Sequence, residues 1–155
     1  MTIAQMTDDY VKSALANLPA GVEVANLLNA VSDALVGGVA GVTFTVGAAH
    51  ASLVNVAIQL NDEDGNAVTQ VCAVPIILFA DADGEAVNTI ALDTVAIGTD
   101  GVLITGLADE LYLGVSEPDG NIDIDFTEAT ATGDLFVGVL LPNGKLVIST
   151  AVTFT

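Results

Sequence analysis

The sequence predicts a mainly β protein, a two-sheet antiparallel sandwich, preceded by a short helical N-terminal segment. Three observations lead there. Five Asx-Gly pairs stand at Asp64-Gly65, Asp83-Gly84, Asp100-Gly101, Asp119-Gly120 and Asn143-Gly144, and such pairs mark tight turns because Gly, Asn and Asp tolerate positive φ. The residues between them alternate apolar and polar with period two, as strands with one buried face do. The first 36 residues instead carry apolar stripes at helical spacing.

Within the N-terminal segment Thr7 can cap a helix, and Asp8 and Asp9 suit the positive end of its dipole. Val11, Leu15 and Leu18 form its stripe, with Ala14 between them, and Asn17-Leu18-Pro19-Ala20-Gly21 closes it. A second stripe runs through Val24, Leu27, Leu28, Val31 and Leu35 and ends at Gly37-Gly38. Two short amphipathic helices cannot bury their stripes alone. They need the β domain, one another in an oligomer, or a foreign surface. The division expected is an attachment or oligomerisation segment over 1–40 and a sandwich domain over 41–155, with Val11, Leu15, Leu18, Leu27, Leu28, Val31 and Leu35 making the partner contact.

Beyond the glycine hinge, strands are predicted at Val42–Val46, Val54–Leu60, Val71–Ala80, Val87–Leu92, Val102–Thr105, Leu111–Ser116, Ile122–Phe126, Leu135–Leu141 and Leu146–Phe154. Leu135–Leu141 is apolar on both faces and suits a central strand. Pro75 lacks an N–H for the ladder, which argues for an edge strand or a bulge. Short strands with frequent turns fit an immunoglobulin-like or a jelly-roll sandwich, and the sequence leaves both open. The turn pairs are spaced by 19, 17, 19 and 24 residues, about two strands each, so the acidic tips are expected to share one end.

The 155 residues suit one domain, 52% of them are hydrophobic, and the net charge is −18 from 20 acids against Lys12 and Lys145. Two cations cannot neutralise a phosphate backbone, so nucleic acid is not an expected partner. Anionic membrane surfaces are disfavoured for the same reason. No apolar run reaches the ~18 residues of a spanning helix. The N-terminus lacks a basic stretch, which argues against a secretory signal. High apolar content is most simply absorbed by subunit or partner contacts, and an oligomer is expected.

Little in the chain points to catalysis, and no enzyme is expected. His50 is the single histidine, and no serine occupies a G-x-S-x-G elbow. Cys72 is the single cysteine, read as a small buried hydrophobe. No cofactor is expected. Calcium is the one metal with a case: Asp62 and Asp64 share one turn, Asp81 and Asp83 another, and hard cations want six to eight oxygens. Neither segment supplies an EF-hand loop, and both read equally as turn chemistry. Asp123 and Asp125 share the wet face of one strand with Asn121, where charge discourages sheet-to-sheet association.

Four segments, Val54–Val68, Val95–Gly101, Val115–Phe126 and Leu141–Phe154, together resemble small structural proteins of tailed bacteriophages. These are capsid decoration (cement) proteins or head fibres in which an immunoglobulin-like sandwich follows a short N-terminal segment. The resemblance covers about residues 51–155 and does not extend to the helical stripes. It implies a virion structural protein made in the host cytoplasm and carried on the capsid surface. Its partner would be the major capsid protein or another virion protein, with the chain itself a homo-oligomer, a trimer in the favoured form. The acidic turns would then face outward, opposite an attaching N-terminal segment. An adhesion module binding a host-surface glycan is the alternative, although Tyr10 and Tyr112 are the only tyrosines and there is no Trp, a thin platform for a sugar.

Overall fold

A computed structural model of the chain describes residues 38–48, 52–129 and 133–154. In chain order the strands are β1 (Gly41–Val46), β2 (Leu53–Asn61), β3 (Ala73–Phe79), β4 (Thr94–Ile97), β5 (Val102–Leu107), β6 (Leu111–Val115), β7 (Asn121–Thr127), β8 (Gly133–Leu140), β9 (Leu146–Ile148) and β10 (Val152–Phe154). One sheet has the order β1-β2-β7-β4, the other β10-β8-β3-β6-β5 with β9 also paired to β8, and every pairing is antiparallel. The stripes from Val11 to Leu35 and His50 lie outside the described residues.

Alternation along the strands builds one core between the sheets. Val54, Val56, Ile58 and Leu60 of β2 and Ile122, Ile124 and Phe126 of β7 point inward from one side. Val74, Ile76 and Leu78 of β3 and Leu135, Val137 and Val139 of β8 meet them from the other. Fully burying each such side chain contributes about 1.5–3 kcal/mol. Val39, ahead of β1, is also in this core, and Ala40 N donates to Asn61 O. Gly114 has no room for more: a Cβ there would stand 2.5 Å from Ile76 Cδ1.

Pro75 lies in β3, which is central, contrary to the expectation of an edge or a bulge. Hydrogen-bond direction explains how it is accommodated. Leu78 N donates to Glu110 O, and Cys72 O accepts from Ser116 N, so the even-numbered residues of β3 turn their backbone groups toward β6. The Pro75 nitrogen therefore faces β8, and the β3–β8 ladder begins only at Ile76 opposite Val139. No ladder donor is lost.

The C-terminal strand is not continuous, as its alternation suggested. Val147 pairs with Val139, whereas Val152 pairs with Leu135; an unbroken register would place Ala151 there. One extra residue at Ser149–Ala151 makes a β-bulge on the free edge of β8 and reverses which parity points inward. Val147 faces the core before it, Val152 and Phe154 after it. Two further differences stand out. Val87–Leu92 contributes only an isolated bridge from Val87 to Phe79, because buried Asn88 binds its own backbone surroundings, its Nδ2 donating to Ile90 O and Asp109 O. Thr94–Ile97 forms β4 instead, and its four residues are too few for alternation to reveal.

All five Asx-Gly turns place their glycine at positive φ, from 72° at Gly84 to 94° at Gly101. Four of them lie at the end of the molecule where β2, β6 and β8 finish. Asp83-Gly84 follows β3 and lies at the opposite end. The acids therefore do not mark one end. Asp62, Glu63, Asp64, Asp100, Glu117 and Asp119 lie at the first, while Asp81, Asp83, Glu85, Asp93, Asp109 and Glu110 lie at the other. Gly38 enters beside Gln70, at the same end as the Asp64-Gly65 turn. The expected polarity, acidic tips opposite the N-terminal segment, is replaced by acidic ends on both sides.

Candidate functional site

With both ends acidic, the two outer sheet faces distinguish one side of the molecule from the other. The face of β1-β2-β7-β4 is polar and narrow in side-chain size. Thr43, Thr45, Asn55, Ala57, Gln59, Asp123, Asp125 and Ala96 fill its centre in cross-strand register. Asn55 stands directly opposite Asp125 and diagonal to Asp123, and its Nδ2 donates to Asp123 Oδ1 at 2.6 Å and to Asp125 Oδ1 at 2.8 Å. Thr99 completes the group, its Oγ1 donating to Asp123 Oδ2 at 2.9 Å and its N–H to the same oxygen at 3.2 Å. One amide thus spans two carboxylates that would otherwise repel. Asn55 and Thr99 were not singled out in the sequence, since neither contact follows from spacing along one strand.

The opposite face is apolar. Outward positions on β5, β6 and β3 are Val102, Ile104, Leu111, Leu113, Pro75 and Ile77, and none of these three strands contains a charged residue. Ile104 pairs with Leu113 and Leu113 with Pro75, giving a continuous row across three strands. Val102, Ile104 and Leu107 are each more than half exposed. Around Ile104, Leu111, Leu113, Gly106 and Pro75 the surface forms a shallow depression of about 240 Å³. Beneath it Tyr112 turns inward and accepts a hydrogen bond at its hydroxyl from Asp109 N. Burial raises its pKa above the ordinary phenol value, and the Asp109 N–H opposes that rise. The sequence held a signal for this face: Val102–Leu107 and Leu111–Val115 lack any polar alternation, which a strand with a wet outer side would show.

The four calcium candidates do not converge. Asp62 and Asp64 lie at one end of the molecule, Asp81 and Asp83 at the other. Asp62 Oδ1 accepts from Asp64 N and Asn66 N, at 3.0 and 2.9 Å. Asp81 uses both oxygens, accepting from Glu85 N at 3.0 Å and Ala86 N at 2.9 Å. Those amides, Glu85 foremost, hold the Asp81 carboxyl below the ordinary carboxylate range. Asp119 is held low too, chiefly by the Asn121 side-chain amide. These carboxylates already close their own turns. Among the described residues no three His, Cys, Asp or Glu side chains are grouped to hold a metal ion.

Cys72 is half-buried and packs against the core. Burial pushes its thiol pKa up, and a hydrogen bond with Gln70 partly offsets this, so it is a weak nucleophile. No helix among the described residues is long and apolar enough to cross a membrane. No protein-family model matches the chain, and no curated protein or solved structure matches it significantly.

Proposed function

We propose that this protein is a structural subunit of a virion, a capsid decoration or head-fibre protein of a tailed bacteriophage, built on an immunoglobulin-like sandwich. One observation carries it: the sandwich is two-sided, with an uncharged apolar face on β3-β6-β5 and a polar face on β1-β2-β7-β4. A chain of net charge −18 that reserves one broad face free of charge has a side for contact and a side for solvent.

Strand order supports the immunoglobulin-like choice over the jelly-roll. That fold sets strands A, B, E and D in one sheet and C, F and G in the other. Here β1-β2-β7-β4 follows the first, and β3, β8 and the bulged β9–β10 edge follow the second. The β5–β6 hairpin is then additional, inserted between the fourth and fifth strands of the plan and laid beside β3. It carries Val102, Ile104, Leu107, Leu111 and Leu113, most of the exposed large hydrophobics. An insertion that sends Leu103 and Tyr112 to the core and leaves five large apolar side chains outside it suits a contact element. The resemblance of Val54–Val68, Val95–Gly101, Val115–Phe126 and Leu141–Phe154 to phage head proteins supplies the kind of particle, and the N-terminal stripes supply a second apolar element for attachment and oligomerisation.

The second reading, an adhesion module for a host-surface glycan, draws on the Asn55–Asp123–Asp125–Thr99 group, since amides and carboxylates on a flat sheet are sugar-binding chemistry. Incubating the labelled protein with undecorated heads and, separately, with host cells decides between them. Saturable binding to heads supports the structural role. Binding to cells alone would replace it with the adhesin.

A further inference from the structure

The apolar face of β3-β6-β5 is exposed among the described residues and too small for a stable dimer by itself. Its strands β5, β6 and β3 span roughly 14 Å at ~4.8 Å each, and the seven residues of β3 run about 23 Å. The projected area, roughly 320 Å², is less than half of the ~800 Å² per partner that a standard interface buries. It is close to the footprint of one short helix with its side chains, about 10–12 Å across. The twelve residues from Val24 to Leu35, as a helix, would run about 18 Å.

Where the rest of the chain joins the sandwich is also fixed. Gly38 lies beside Gln70, so that a Cβ on it would stand 3.4 Å from Gln70 Nε2. Three residues further on, Ala73 begins β3, in the row Ala73–Val115–Val102 that opens the apolar face. A stripe attached at Gly38 therefore starts at the end of the molecule where β3 begins. Its high effective concentration favours it over any separate partner. Charge agrees: residues 1–37 carry Asp8, Asp9, Glu23 and Asp33 against Lys12, and the only large surface among the described residues that would not repel them is the one without acids.

We infer that residues 1–37 of this chain are the occupant of that face in the free protein, their Val24, Leu27, Leu28, Val31 and Leu35 stripe lying against Ile104, Leu111, Leu113 and Pro75. The inference does not require the virion reading. If both hold, attachment to a particle exchanges one apolar partner of the stripe for another.

The test is paramagnetic broadening of methyl signals in the full chain. In a Cys72→Ser background a spin label is placed at Thr105→Cys, on the exposed edge beside the face, or at Ala57→Cys on the opposite face. The expected result is loss of the Leu27, Leu28 and Val31 methyl signals with the first label, their retention with the second, and no change when labelled protein is diluted into excess unlabelled protein. Adding Ile104→Asp and Leu113→Asp to the first sample should restore the signals. No broadening, equal broadening from both labels, or persistence in the doubly charged variant overturns the inference. Broadening that dilution abolishes also overturns it, assigning the face to a second copy.

Discussion

Ser149 serves both backbone groups of Val137: its N–H donates to Val137 O at 2.9 Å, and its Oγ accepts from Val137 N at 2.9 Å. The same hydroxyl donates to Thr150 O at 2.7 Å. This is the point at which the β8 partner slips by one residue, and the side chain stands in for the carbonyl that the bulge withdraws. Val137 and Ser149 are both buried, so no water replaces that oxygen cheaply. Ser149→Ala is expected to cost about 1–3 kcal/mol, the penalty of an orphaned buried N–H, measured by urea denaturation. Ser149→Thr, which keeps the hydroxyl, should recover most of it.

Turn positions and core positions should separate glycines by mechanism. Gly65→Ala meets nothing within 4 Å and strains only φ, which is +82°, for about 1–2 kcal/mol. Gly114→Ala has ordinary φ but drives a methyl into Ile76 and Ile122, for about 1–3 kcal/mol of overpacking. Thermal melts distinguish them when Ile76→Val is added. The core substitution should be partly rescued, the turn substitution not at all.

Asn55→Asp places a third carboxylate between Asp123 and Asp125 and removes the amide that spans them. A loss of ~1–2 kcal/mol at low ionic strength is expected. It should shrink as salt shortens the Debye length from ~30 Å to ~8 Å. Denaturation with and without added salt checks both parts.

Asp81 and Asp119 are the carboxylates held below their ordinary pKa by turn donors. A depressed folded-state pKa stabilises the fold above the unfolded value of ~3.9 and loses that contribution as pH falls through the folded value. The Asp81→Asn, Asp119→Asn variant should therefore be the less stable protein at neutral pH. Its deficit should close as the pH falls below the ordinary carboxylate range. Both side chains are solvent-exposed, so the effect is small in size and definite in sign.

Local chemistry was well written in the sequence. Asx-Gly pairs located five turns with their positive φ, because that demand is met within two residues. Alternation located β2 and β7, whose outer sides are wet. What escaped depended on partners far along the chain. Pro75 sits in a central strand because of where the β8 ladder starts, which no local pattern encodes. The bulge at Ser149–Ala151 hid because both parities of Leu146–Phe154 mix apolar and small residues. Asn88 overrode the β-prone run around it by hydrogen bonding to Asp109, 21 residues on. The apolar outer face was written as an absence of polar alternation in β5 and β6, a signal shared with buried strands and resolved only by seeing that nothing among the described residues covers them.

The central claim, that this two-sided sandwich coats a particle, is tested most directly by imaging. Purified protein is added in excess to undecorated tailed-phage heads, and particles are averaged by electron cryomicroscopy. The account predicts added density of sandwich size at symmetry-equivalent surface sites, with occupancy that saturates. Heads that remain bare at saturating protein would contradict it.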